Sequence, residues 1–257
     1  VSNLVREKNI IMLNSGAATA DLTGKACSPN TLSFTYDTYM LANGTSKALT
    51  KAGGDTWFFL TADYAFGHAM ERDATAVITA NGGKVLGGVK HPINTADFSS
   101  FLLQAQASKA KVIGLANAGG DTTNAIKQAA EFGIVSHGQK LAALLLFIND
   151  VHSLGLKTAN GLNFTESFYW DLNDKTRAWS KRFSEKASKN ARPSMTQAGV
   201  YAAVRHYLKV LEAMGGNPHD GAKVVAKMKE TVAEDDLFGK SEIRADGRRM
   251  VPAYLFE

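Results

Sequence analysis

Three short polar loops, each placed directly after an apolar run, hold the residues best suited to chemistry. Asn14-Ser15-Gly16-Ala17-Ala18-Thr19 follows the run 9–13. Glycine and alanine let backbone N–H groups approach a ligand closely, and Ser15 and Thr19 add hydroxyls, which together suit a carboxylate. The same residues also make an ordinary turn. Ala116-Asn117-Ala118-Gly119-Gly120-Asp121 leads into a helical pattern whose first N–H groups favour an anion, although Asp121 also reads as a plain N-cap. Phe147-Ile148-Asn149-Asp150-Val151-His152 places polar groups after the very apolar run 141–147.

Catalytic and cofactor signatures are missing. Gly239-Lys240-Ser241 would end a phosphate-binding loop, but Glu234 occupies the position of its first glycine. There is no G-x-G-x-x-G, and His152-Ser153-Leu154-Gly155 lacks the first glycine of a nucleophile elbow. Histidines 68, 91, 137, 152, 206 and 219 never fall at metal-ligand spacing, so neither a metal nor another cofactor is expected. The single Cys27 rules out a disulfide framework within the chain. A net charge of +5 favours small acidic ligands or anionic surfaces, and is too weak and scattered to argue for nucleic acid. The longest apolar run, 141–148, falls short of the ~20 residues of a membrane-spanning helix. Starting at Val1 with no leader, the chain is expected to be a mature or trimmed fragment.

The elements that must position these loops alternate. Runs 9–13, 55–61, 84–89, 111–116 and 141–147 read as strands, bounded by Gly, Asp, Asn or Pro. Between them, 66–80 carries Ala69, Met70, Ala74, Val77 and Ile78 at helical spacing and stops at Asn81-Gly82-Gly83. Asp97 reads as an N-cap before Phe98, Leu102 and Ala105, and Asp121 as the start of a helix closed by Gly133. Such alternation predicts βαβ crossovers and a parallel sheet buried on both faces. From Asp174 the pattern turns helical and basic, with Arg177, Lys181, Arg182, Lys186, Lys189 and Arg192. A second helix from Met195 ends at Gly215-Gly216-Asn217-Pro218, a third covers 221–231, and the tail 243–256 reads as a hairpin turning at 245–247.

Seven stretches, in order, resemble the type I periplasmic solute-binding proteins of ABC importers, in their branched-chain amino acid (Leu/Ile/Val) receptor family. They are the loop 14–23, Phe34-Thr-Tyr-Asp37, Asp63-Tyr-Ala-Phe66-Gly67, Asp97-Phe98-Ser99, Gln128-Ala129-Ala130-x-x-Gly133, Gly161-Leu162 and Tyr201-Ala202-Ala203. Within that family, Gly16-Ala-Ala followed by Leu22-Thr-Gly-Lys-Ala-Cys27 is more similar to the branch that binds aromatic acids.

The resemblance implies a two-lobed α/β fold of parallel, doubly wound sheets. The first lobe would comprise 1–36 and 167–241, incomplete because the family carries more chain before this point. The second would comprise 37–166 and 242–257, with crossings near 36–37, 165–166 and 239–243. It also implies that Ser15, Gly16, Ala17 and Ala18 serve a ligand carboxylate. Phe66 would stand where many members close a tyrosine over the ligand, and Ala118 where amino-acid receptors tend to have another aromatic, next to Asn117. Asn149 and Asp150 would lie near the group that holds a ligand's ammonium. Thr196 and Gln197 would line the pocket from the first lobe. The implied function is capture of a small carboxylate (an aromatic acid or a branched-chain amino acid) by hinge closure, without catalysis. The implied setting is the periplasm, after export on a signal peptide, as a monomer delivering to a membrane permease. A ligand-sensing effector domain of the same fold is the alternative, and an enzyme on a doubly wound sheet is a further one. An odd cysteine in an exported protein implies a partner for Cys27 outside this segment.

Overall fold

The computed structural model describes residues 1–216 and 219–257. Its strands are β1 (Met12–Asn14), β2 (Thr31–Ser33), β3 (Thr56–Ala62), β4 (Lys84–His91), β5 (Val112–Ala116), β6 (Lys140–Ala143), β7 (Phe164–Glu166), β8 (Ala233–Asp235), β9 (Gly239–Ser241) and β10 (Tyr254–Phe256). The chain divides into two compact units, Val1–Tyr36 with Ser167–Pro252, and Asp37–Glu166 with Ala253–Glu257.

In the second unit the sheet runs β4-β3-β5-β6, every pair parallel, with Phe59 beside Gly114 and Ile113 beside Leu141. All five residues of β5 are buried, as a strand covered on both faces requires. The helices Ala65–Ala80, Ser99–Ala107 and Gly120–Glu131 make the crossovers. Phe98, Leu102 and Ile126 pack with Leu60, Ile113, Leu141 and Leu146 into one core. Gly67 sets how closely the first of these helices approaches the sheet. A Cβ there would stand 2.0 Å from the Ala62 carbonyl oxygen and 3.1 Å from that of Ala116. β10 closes the unit by pairing antiparallel with β7, Tyr254 opposite Glu166.

In the first unit β1 and β2 pair in parallel, and Ser33 bridges onward to Arg248. Leu32 and Phe34 pack with Ala202, Ala203 and Val210 of the helix Met195–Ala213 and with Val224, Val225 and Met228 of Gly221–Glu230. Arg249 is fully buried here. Its Nη2 lies 2.7 Å from Asp235 Oδ2, its Nε donates to Ser241 Oγ at 2.8 Å, and its guanidinium stacks on Phe34 and Phe238. Burial pulls the guanidinium below its usual range, and Asp235 opposes that shift.

That ion pair explains the largest departure from the expected organisation. Residues 242–252, expected in the second lobe, belong to the first unit, because Arg248 and Arg249 anchor them beside β2 and β8. The tail hairpin is correspondingly short. Ile243 bridges Arg249 and Gly247 N–H donates to the Arg244 carbonyl, while 254–256 leave to pair with β7. Three local boundaries also shift. β6 stops at Ala143, although Leu144, Leu145 and Leu146 stay buried. Phe98 rather than Asp97 holds the N-cap position, and Asp97 accepts the Ser99 N–H. Gly119, at φ +58, precedes the Gly120 helix, and Asp121 lies inside its first turn. The Met195 helix ends at Ala213, and the part of its expected stop at 217–218 lies outside the described residues.

Arg249→Met leaves the Asp235 carboxylate buried without its cation, and should lower the unfolding free energy of the first unit by ~3–5 kcal/mol. Adding Asp235→Leu should restore part of that loss. Denaturant unfolding of the single and double variants checks both outcomes.

Candidate functional site

On the first unit the carboxylate loop is built on Asn14. This side chain is 4% exposed. Its Oδ1 accepts the Ala17 N–H at 3.0 Å, and its Nδ2 donates to the Ala17 carbonyl at 2.8 Å and to Ser33 Oγ at 3.1 Å. The loop is therefore an Asx-type turn clamped to β2. The Ala17 N–H, expected to face a ligand, donates to Asn14 Oδ1. Ala18 is buried, whereas Ser15 is half-buried and Gly16 exposed, so those two carry the accessible N–H and hydroxyl groups. Thr19 caps the short helix Ala20–Thr23 by accepting the Asp21 N–H. Asn14 was not among the expected site residues. An asparagine between an apolar run and Ser-Gly was the available signal.

Thr196 and Gln197 begin the Met195 helix. Gln197 Oε1 accepts the Ser194 N–H at 2.9 Å and lies 2.6 Å from Ser194 Oγ, while Ser194 Oγ accepts the Thr196 N–H. This reciprocal cap occupies the Gln197 carbonyl and removes it from the groups able to accept from a ligand. Both residues line an open groove of about 500 Å³ with Trp179, Phe183, Val200 and Tyr201.

On the second unit, the candidate residues follow the carboxyl ends of β3, β5 and β6, where ligands sit on open parallel sheets. Phe66, one residue into its helix, is half-buried, and its ring lies 5.9 Å from that of Tyr64. Tyr64 is 41% exposed. Burial, and then the negative charge of Asp121, hold its phenol above the usual range. Tyr64 was also missed, although it stands inside the quoted Asp63–Gly67 stretch.

Asn117, expected near the ligand, is fully buried. Its Oδ1 accepts the Thr122 hydroxyl at 2.7 Å and its Nδ2 lies 3.1 Å from His91 Nε2. His91 Nδ1 in turn lies 2.8 Å from the Pro92 carbonyl oxygen, which can only accept, so Nδ1 donates there and Nε2 accepts from Asn117. This chain fixes the β5 loop from below. Ala118, half-buried, and Gly119 and Gly120, exposed, form its surface. Asp121 accepts the N–H groups of Asn94 and Thr95 at 3.1 and 2.8 Å. Asn149 and Asp150 are half-buried. Asp150 accepts the Phe147 N–H at 3.0 Å, and burial raises its carboxyl above the usual range against that bond. Buried Glu166, also missed, accepts the Ile148 N–H at 2.8 Å.

The model of the periplasmic binding protein family matches residues 1–257, and the chain belongs to that family. A periplasmic binding protein from Burkholderia mallei is 50% identical, with a TM-score of 0.93 over 99% of this chain and 66% of that one. A branched chain amino acid ABC transporter periplasmic ligand-binding protein from Burkholderia xenovorans is 35% identical, with a TM-score of 0.85 over 99% and 67%. Leu/Ile/Val-binding protein homolog 6 of Brucella melitensis is 26% identical over 236 residues, 89% of this chain and 59% of that protein. The chain thus spans about three fifths of the length of the curated relatives it matches. The fold is that of the type I periplasmic binding proteins. Among the described residues, no helix is long and apolar enough to cross a membrane, and no group of His, Cys, Asp or Glu is arranged to hold a metal ion. Cys27 is an exposed free thiol.

Asn14→Ala deletes the clamp on the carboxylate loop and leaves the Ala17 N–H without its acceptor. The first unit should lose ~1–3 kcal/mol of stability, and Asn14→Asp, which sets a buried carboxylate oxygen against the Ala17 carbonyl, should lose at least as much. Thermal unfolding of both variants checks the order.

Proposed function

We propose that this chain is the ligand-capturing part of an extracytoplasmic receptor for an ABC importer, and that its ligand is an aromatic or similarly apolar carboxylate. Capture proceeds by hinge closure in the periplasm, the ligand leaves for a membrane permease, and no bond in it is made or broken. The observation that carries the ligand class is how the acidic groups of the second unit are committed. Asp121 is occupied by two backbone N–H groups. Asp150 caps its own helix and has its protonated form favoured by burial. Asn117 is buried in the His91 network. An α-ammonium would therefore share Asp121 or Asp150 with backbone N–H groups, or meet the exposed Asp63 beside His68, and an imperfectly paired buried charge costs several kcal/mol. The Ser15-Gly16 donors serve a carboxylate, and Phe66 with Tyr64 offers aromatic area to its body. The alternative ligand is a branched-chain amino acid, in keeping with what the Burkholderia xenovorans and Brucella relatives are named for.

Calorimetry on the full-length protein with benzoate-type acids and with leucine decides between them. Aromatic acids should bind at least tenfold more tightly, ~1.4 kcal/mol. Micromolar leucine binding with no detectable aromatic acid binding would assign Asp150 the ammonium. Phe66→Ala should weaken aromatic acid binding about ten- to a hundredfold, for a ring worth ~1–3 kcal/mol. It should leave the melting temperature of the apo protein nearly unchanged. A fall of several degrees with affinity retained would make Phe66 a core residue instead.

A further inference from the structure

We propose that Tyr64 is a specificity-determining residue of this receptor, its phenol hydroxyl pairing with a ring hydroxyl of the bound acid, so that hydroxylated aromatic carboxylates are preferred over unsubstituted ones. The inference rests on the aromatic-acid reading above. Tyr64 is the N-cap of the Ala65–Ala80 helix, in extended backbone at φ −153 and ψ 176, and donates its own N–H to the Ala62 carbonyl. Its backbone is thereby fixed at the carboxyl end of β3, while its ring stays 41% exposed and in contact with Phe66. The hydroxyl has no hydrogen-bond partner among the described residues.

β3 pairs directly with β5, so the loop 117–121 lies at the same end of the sheet. Asp121 sits there with both carboxylate oxygens accepting from Asn94 and Thr95, close enough for its charge to oppose ionisation of the phenol. Tyr64 thus stays a protonated, two-way hydrogen-bonding group beside an apolar ring. A benzoate ring stacked against Phe66 covers that exposed hydroxyl without pairing it, and a polar group stripped of water and left unpaired costs binding. A ring hydroxyl satisfies it, donating to or accepting from the phenol. A site built to bond a ligand hydroxyl discriminates against the analogue that lacks one.

The test is calorimetry on wild type and Tyr64→Phe with benzoate and each of the three hydroxybenzoate isomers. At least one isomer should bind wild type five- to tenfold more tightly than benzoate. In Tyr64→Phe that advantage should vanish, with benzoate bound at least as tightly as by wild type and an unchanged apo melting temperature. An advantage that survives Tyr64→Phe overturns the role of Tyr64 and leaves the aromatic-acid reading standing. Equal loss of benzoate and hydroxybenzoate binding makes Tyr64 an apolar contact and also overturns the proposal. If wild type binds none of the four acids, the aromatic-acid reading falls and this inference with it.

Discussion

Parallel strand pairing is the constraint on which the second unit depends. A parallel strand returns by a crossover, so β3, β5 and β6 all end on the same side of the sheet. The loops that leave them, 63–66, 117–121 and 147–150, are thereby gathered at one end of the sheet. Burial on both faces makes β5 wholly apolar and leaves polar chemistry to the loop that follows it. Gly67 sharpens the arrangement, since any side chain there would push the first helix, and with it Phe66, away from the sheet.

Buried polar side chains hold the loops in shape. Asn14 ties the Ser15-Gly16 turn to β2, and the Thr122–Asn117–His91 chain ties the β5 loop to the end of β4. Arg249 and Asp235 tie the returning segment 242–252 to the first unit. Each rests on buried polar side chains, which would be costly to strip of their partners.

Much of this was legible in the sequence because it rests on local pattern. The five apolar runs and the helices between them follow from periodicity and from stops such as Asn81-Gly82-Gly83. The roles of individual polar residues were not legible, because spacing does not say which way a side chain turns. Asn117 and Gln197 read as ligand contacts, and the structure adds that Asn117 bonds His91 in the core and Gln197 caps its own helix, partnerships that spacing does not announce. Asn14 and Tyr64 stand inside the expected loops, but their spacing assigns them no role. The place of 242–252 depends on two contacts distant in sequence, the ion pair of Asp235 with Arg249 and the bridge of Ser33 to Arg248, that no local pattern announces.

The central claim is that a small carboxylate is bound and not transformed. Thermal unfolding of the full-length protein against aromatic acids, aliphatic acids and amino acids, with the ligand recovered afterwards for mass analysis, tests it most directly. Aromatic acids should raise the melting temperature progressively with concentration, as binding to the native state alone requires, and should be recovered at unchanged mass. A set of acids that leaves the melting temperature unmoved, or an acid recovered as a product of different mass, would contradict the account.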